Sequence, residues 1–141
     1  MKLLNKKQKN NKGFSLVELI VVIAIMVVLV AVLAPVFTRY IESSRKSTDV
    51  STASSIAEAV LADVADGKTF GTEKAEVTAS NITAIKSAPE VQGTAKKNGS
   101  KKGDKFYFLY DSSSNLCHVY AGSGELDLAN ANDAETYKND N

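Results

Sequence analysis

A glutamate stands at the head of a long apolar run. Gly13-Phe14-Ser15-Leu16-Val17-Glu18 leads directly into residues 19–37, where no side chain is charged. A helix of roughly 19 such residues is long enough to cross the apolar core of a bilayer. An acid inside that core costs about 2.5–3.5 kcal/mol at the centre on insertion scales, so it marks function and needs a partner. The partner the sequence offers is an amino group, freed by cutting the chain just before Phe14. Gly13 suits such a cut, because a residue without a side chain lets a protease approach the backbone closely. The segment before the cut holds Lys2, Lys6, Lys7, Lys9 and Lys12 and no acid. It stays on the cytoplasmic side by the positive-inside bias.

Other residues with chemical potential carry less. Cys117 and His118 are neighbours, but adjacent residues on a strand point to opposite faces. The sequence places no acid to orient the histidine, so no catalytic constellation is expected. Lys96, Lys97, Lys101, Lys102 and Lys105 form a cluster that reads first as a solvated loop. Its sharper reading is contact with DNA or an acidic surface polymer, since clustered lysines release counterions from polyanions. Phe106 and Tyr107 are the nearby rings for stacking on bases. The acidic tail with Asp127, Asp133 and Glu135 lacks the dense alternating carboxylates of a calcium loop, so neither a metal nor a cofactor is expected. Asn81-Ile82-Thr83 and Asn98-Gly99-Ser100 match the glycosylation pattern by chance.

The junction resembles the leader-peptide junction of type IV pilins and their type II secretion and competence relatives. The resemblance rests on Gly13-Phe14-Ser15-Leu16-Val17-Glu18 followed by the apolar helix, and covers about residues 12–49. It implies that a membrane-embedded prepilin peptidase cuts after Gly13 and N-methylates Phe14. It implies that Glu18 sets registry between subunits during assembly with Phe14, and that Pro35 marks a weak point in the helix. It also implies the family's partners: copies of the chain itself, the peptidase, the membrane, and an assembly platform with its motor. The subunit would sit first in the cytoplasmic membrane, N-terminus inside, and then in an extracellular pilus. Many Gram-negative pilins close a C-terminal loop with a disulfide. This chain has one cysteine, which forbids an internal disulfide, and with its long lysine-rich leader it resembles pilins of Gram-positive bacteria.

Two blander readings fit less well. A secretory signal peptide has an apolar core of about 7–15 residues ending in a small-x-small site. Here the run is longer, and Ala34 at its end is followed by Pro35. A plain single-span anchor fits the length and leaves Glu18 unexplained.

The elements that must position these residues follow from composition and period. Residues 1–13 take five of the 17 basic side chains and none of the 16 acidic ones. What remains carries a formal charge of −4, so overall charge gives no case for nucleic-acid binding. Beyond the apolar helix stay roughly 100 residues, enough for one small core. Arg39, Glu42, Arg45, Lys46 and Asp49 lead into water. Val50, Ala53, Ile56, Ala57, Val60, Leu61 and Val64 then recur at spacings of three and four, one face of an amphipathic helix. Gly67 closes it. Pro35 removes one backbone hydrogen bond, which predicts a kink over residues 31–35.

The predicted organisation is a leader over 1–13, a membrane or filament-core helix over 14–37, an amphipathic half over 38–66, and a head over 67–141. A β-meander at about 105–128 is expected to cover the helix, an α+β architecture and by resemblance the pilin fold. Residues 105–110 and 116–121 are rich in strand-forming aromatics around the turn 111–115. Pairing Tyr110 with Leu116 puts Phe108 opposite His118 and Phe106 opposite Tyr120. It turns Tyr107, Leu109, Cys117, Val119 and Ala121 towards Val60. Residues 125–128 alternate as a third, edge strand. Ser80 or Asn81 is expected to cap a short helix through Lys86, 92–104 to form a loop, and the polar residues from Asn130 to be loosely held.

Three functional readings remain. The chain is a pilin that polymerises through its N-terminal helix, a pseudopilin of a secretion or competence machine, or a monomeric membrane-tethered binding module. Glu18 argues against the third.

Overall fold

The computed structural model describes residues 13–140; the leader lysines lie outside the described residues, as does Asn141. Two compact units divide the chain, one up to Phe37 and one from Thr38. The α-helix α1, Leu16–Ala65, supplies all regular structure of the first unit and runs on into the second, passing through Pro35. Its residues from Leu19 to Phe37 are apolar all round and exposed on every side.

In the second unit α1 turns one stripe inwards. Ala53, Ile56 and Val60 are buried, and Lys46, Asp49 and Asp63 lie on the same stripe and are buried too. The helix ends as Gly67 requires. Gly67 takes φ +92°, its N–H bonds Val64 O at 2.9 Å, and Lys68 N–H bonds Asp63 O at 2.9 Å. That pair of bonds is a Schellman motif, open to glycine because it lacks a Cβ.

The sheet has three antiparallel strands in the order β1-β2-β3. They are β1, Ala75–Glu76, β2, Phe106–Asp111, and β3, Leu116–Ala121. The sheet with the long helix gives the expected α+β fold. Its register differs by one residue from the sequence reading. Asp111 pairs with Leu116, Phe108 with Val119 and Phe106 with Ala121. The cause is a four-residue turn closed by its own side chains. Asp111 Oδ1 accepts the Ser113 N–H at 2.9 Å, Asp111 Oδ2 accepts the Ser114 hydroxyl at 2.7 Å, and Asn115 adopts φ 55°. A slip of one residue exchanges faces along a strand. Phe106 and Phe108 therefore join Cys117, Val119 and Ala121 in the core, and Tyr107 and Leu109 do not. Each buried phenylalanine contributes about 1.5–3 kcal/mol over exposure.

The edge expected over residues 125–128 is not a strand. Leu128 N–H does bond Val119 O at 2.7 Å, but Val119 N–H is taken by the Asp127 carboxylate at 2.9 Å. A side chain replaces the ladder there. The third strand is β1, which pairs with Tyr107 and Phe108.

Residues 80–86 form turns and no helix. Asn81 Oδ1 accepts the Thr78 N–H at 2.8 Å, and its amide donates to Glu76 O. Such local bonds compete with helix formation. The segment 92–104 is more ordered than a solvated loop, with Ala95, Asn98 and Ser100 buried and Ala95 bridged to Ser100. The tail is also held. α2, Ala131–Lys138, is capped by Asn130, whose side chain accepts from Asn132 N and Asp133 N. It buries Ala134 and Tyr137.

Candidate functional site

On its described side the junction is exposed. Gly13 precedes the helix in irregular backbone, a Cβ placed on it would meet nothing within 4 Å, and Phe14 is 93% exposed. Ser15 then caps α1. Its hydroxyl accepts the Val17 N–H at 3.4 Å, and Glu18 reaches back to accept the Ser15 N–H at 2.8 Å. This reciprocal capping box satisfies donors at the helix start. It gives Glu18 a local role that the sequence reading missed, although Ser-x-x-Glu before an apolar run is its signature. The carboxylate sits in the first turn, where the helix dipole favours negative charge. Behind it, every large apolar side chain from Leu16 to Phe37 is at least 48% exposed. The helix is long and apolar enough to cross a membrane.

The lysines separate in space. Lys96 and Lys97 lie in the turn that the Ala95–Ser100 bridge closes, exposed, as are Lys101 and Lys102. Lys97 lines a groove beside α2, and Lys101 lines another beside β2 with Lys74 and Lys105. Phe106, considered for base stacking, is fully buried.

His118 does have an acidic partner. Its Nδ1 lies 2.8 Å from Asp127 Oδ2, while Asp127 Oδ1 accepts the N–H groups of Val119 and Ala129. Sequence reasoning placed no acid there, because the contact depends on how the segment after β3 folds back. The dyad still lacks a nucleophile. Cys117 is buried on the other face of β3, and burial, with Asp127 nearby, pushes its thiol up to about 12. A thiol so raised is inert near neutrality. Among the described residues no three His, Cys, Asp or Glu side chains gather as a metal site.

One buried polar cluster was not anticipated. Asp49 is fully buried and accepts from Gln92 N at 2.7 Å, Gly93 N at 2.8 Å and the Tyr137 hydroxyl at 3.0 Å. Burial pushes its carboxyl up, against those three hydrogen bonds, which pull it down. Lys46, 1% exposed, donates to the backbone oxygen of Asp140. Asp140 Oδ2 in turn accepts the N–H groups of Lys97 at 2.8 Å and Asn98 at 2.9 Å. Glu42 accepts the Thr94 N–H. α2 is thereby latched to α1 and to the 92–100 loop, the work a disulfide would do elsewhere. Part of this was visible, since Lys46 and Asp49 fall on the stripe of Ala53, Ile56 and Val60. Their partners are 43 to 94 residues away, which no local pattern reveals.

Residues 8–34 match the family described as the prokaryotic N-terminal methylation motif. No curated protein and no solved structure matches the chain. The motif, at the head of a long apolar helix and on an α+β head that matches the pilin fold, supports a type IV pilin-like protein.

Proposed function

We propose that the chain is the precursor of a structural subunit of a type IV filament. A prepilin peptidase cuts between Gly13 and Phe14 and methylates the new amine. The mature subunit then polymerises through its N-terminal helix, delivered by an assembly platform and motor, into an extracellular fibre. The observation that carries this reading is the methylation motif over residues 8–34 on a helix whose apolar surface is uncovered from Leu16 to Phe37.

The physics gives Glu18 its part. Lipid tails are as apolar as a neighbouring helix, so moving α1 from bilayer to fibre gains little from the hydrophobic effect. A charge pair gains more, because in a dry surrounding it is weakly screened. Before cleavage Phe14 is bonded to Gly13 and offers no amine, and Glu18 caps Ser15. After cleavage a neighbour's Phe14 amine neutralises Glu18 and fixes the register. The contact joins the start of one helix to that of the next copy, a head-to-tail interface that does not close and so builds a filament. Pro35 lacks the N–H that would bond Ala31, which gives the fibre core a point where the helix can yield.

The same chemistry serves a pseudopilin of a secretion or competence machine, and the neighbouring genes would separate the two. Shearing of intact cells tests the reading. Long filaments that react with an antibody to the head are expected; chain found solely in the membrane fraction returns the monomeric binding module.

A further inference from the structure

We infer that the groove beside the outer face of β2 binds phosphodiester chains through Lys74, Lys101 and Lys105. The groove is open, about 690 Å³ in volume, and is lined by these three lysines with Asp104, Tyr107 and Ser123, among glycine turns. Three stretches of chain supply the charges: the lead into β1, the loop after Ser100, and the start of β2. Lys101 and Lys105 belong to a run visible in the sequence, but Lys74 arrives only because β1 pairs with β2.

Among the described residues Lys74 and Lys101 keep their charges unpaired, and Lys105 is held by a carboxylate outside the groove lining. Lys74 Nζ sits 3.7 Å from the centre of the Tyr120 ring, a cation–π contact that positions the ammonium without cancelling its charge. Lys105 Nζ is 2.9 Å from Glu90 Oε1. Among the described residues no carboxylate lies within ion-pair distance of Lys74 or Lys101. The one acid lining the groove, Asp104, accepts the Lys101 N–H at 2.7 Å and is turned to the backbone. The Tyr107 hydroxyl adds a hydrogen-bond donor for a phosphate oxygen, whereas the Ser123 hydroxyl already donates to Gly99 O at 3.3 Å.

The aromatic arrangement decides what is read. Stacking on bases needs open ring faces. Phe106 is buried, and Lys74 covers the Tyr120 ring. Tyr107, half-buried in the groove lining, is the ring that remains, so contact is chiefly with phosphates and independent of base sequence. The phosphates of duplex DNA and those of a polyol-phosphate polymer present the same chemistry. This inference does not rest on filament assembly.

The test uses the full chain in neutral detergent micelles, with two fluorescent probes, a 20-base-pair DNA duplex and a poly(glycerol phosphate). Anisotropy is read over a fourfold rise in salt. Each phosphate neutralised contributes about 0.9 to the log–log salt slope on duplex DNA. Lys74→Gln with Lys101→Gln should lower the slope by about 1.8, so the variant loses roughly 12-fold less affinity than wild type over that range. The leader lysines are common to both chains and cancel. Lys96→Gln with Lys97→Gln, the same change of charge outside this groove, should leave the slope nearly as it was. A slope lowered in the Lys74/Lys101 variant on DNA alone or on the polymer alone supports the site and names its source. No binding of either probe at low salt, a Lys74/Lys101 variant indistinguishable from wild type, or an equal loss in the Lys96/Lys97 variant would overturn the inference.

Discussion

Replacing Tyr137 with Phe removes one oxygen from the centre of the head and keeps the ring. That oxygen donates to Asp49 Oδ2 at 3.0 Å and lies 3.5 Å from Ser100 Oγ, with Tyr137 and Asp49 both fully buried. A hydrogen bond to a charged group contributes about 1.5–3 kcal/mol. Asp49 keeps the Gln92 and Gly93 N–H groups, so the lower part of that range applies, about 1.5–2 kcal/mol. The substitution leaves α1 and the sheet intact and weakens the latch between α2, the 92–100 loop and α1. At about 1.4 kcal/mol per tenfold, local opening should become roughly 12- to 30-fold more frequent. Hydrogen exchange of the full chain in micelles reads this directly at three amides: Gly93, which bonds Asp49, and Lys97 and Asn98, which bond Asp140. All three should accelerate together by that factor, while the Phe108 and Val119 amides keep their protection. Unchanged exchange at these three, or an equal increase across the β2–β3 pair, would refute the latch as a separate unit.

Gly93→Ala should destabilise the same unit by about 1–3 kcal/mol through overpacking, because its Cβ would lie 2.7 Å from Lys46 Cγ and 3.2 Å from the Lys46 backbone nitrogen; limited proteolysis within residues 92–100 checks it. Glu18→Ala should insert and be cleaved normally yet yield few filaments, since a buried pair broken at one partner costs about 3–5 kcal/mol. Glu18→Gln retains the capping box without the charge and should fail in the same way, so abundant filaments from it would reduce Glu18 to a cap. At low pH the β2–β3 turn should loosen: the hydroxyls of Ser113 and Ser114 hold the Asp111 carboxyl at about 2, below its ordinary 3.8. A depressed acid stabilises above its unfolded value and loses that contribution as pH falls through the folded one; a carboxyl resonance for Asp111 with a midpoint near 3.8 would show the turn is not formed.

The parts read well from sequence were those fixed by local pattern. The period of Ala53, Ile56 and Val60, and the glycine at 67, outline the second half of α1 because a helix repeats its environment every three to four residues. The N-terminal motif is legible for a similar reason, since it lies within one short segment, residues 8–34. The sheet register was not, because it turned on Asp111 bonding Ser113 and Ser114, which shortens the turn by one residue and exchanges Tyr107 for Phe106 in the core. β1 is two residues long, too short to show a period. α2 looked unstructured because it presents only Ala134 and Tyr137 to the core; its hold comes from Tyr137 and Asp140 meeting Asp49 and Lys46 across the fold. The basic groove was half visible, with Lys101 and Lys105 in the run and Lys74 recruited through strand pairing.

The central claim is that Gly13 and Phe14 are parted and that the freed amine serves assembly. Intact-mass and fragment-ion analysis of the chain recovered from the cell surface tests it most directly. An N-terminal fragment series beginning at Phe14 and carrying one methyl group on the terminal nitrogen is expected. Surface-exposed chain that still bears residues 1–13 would contradict it.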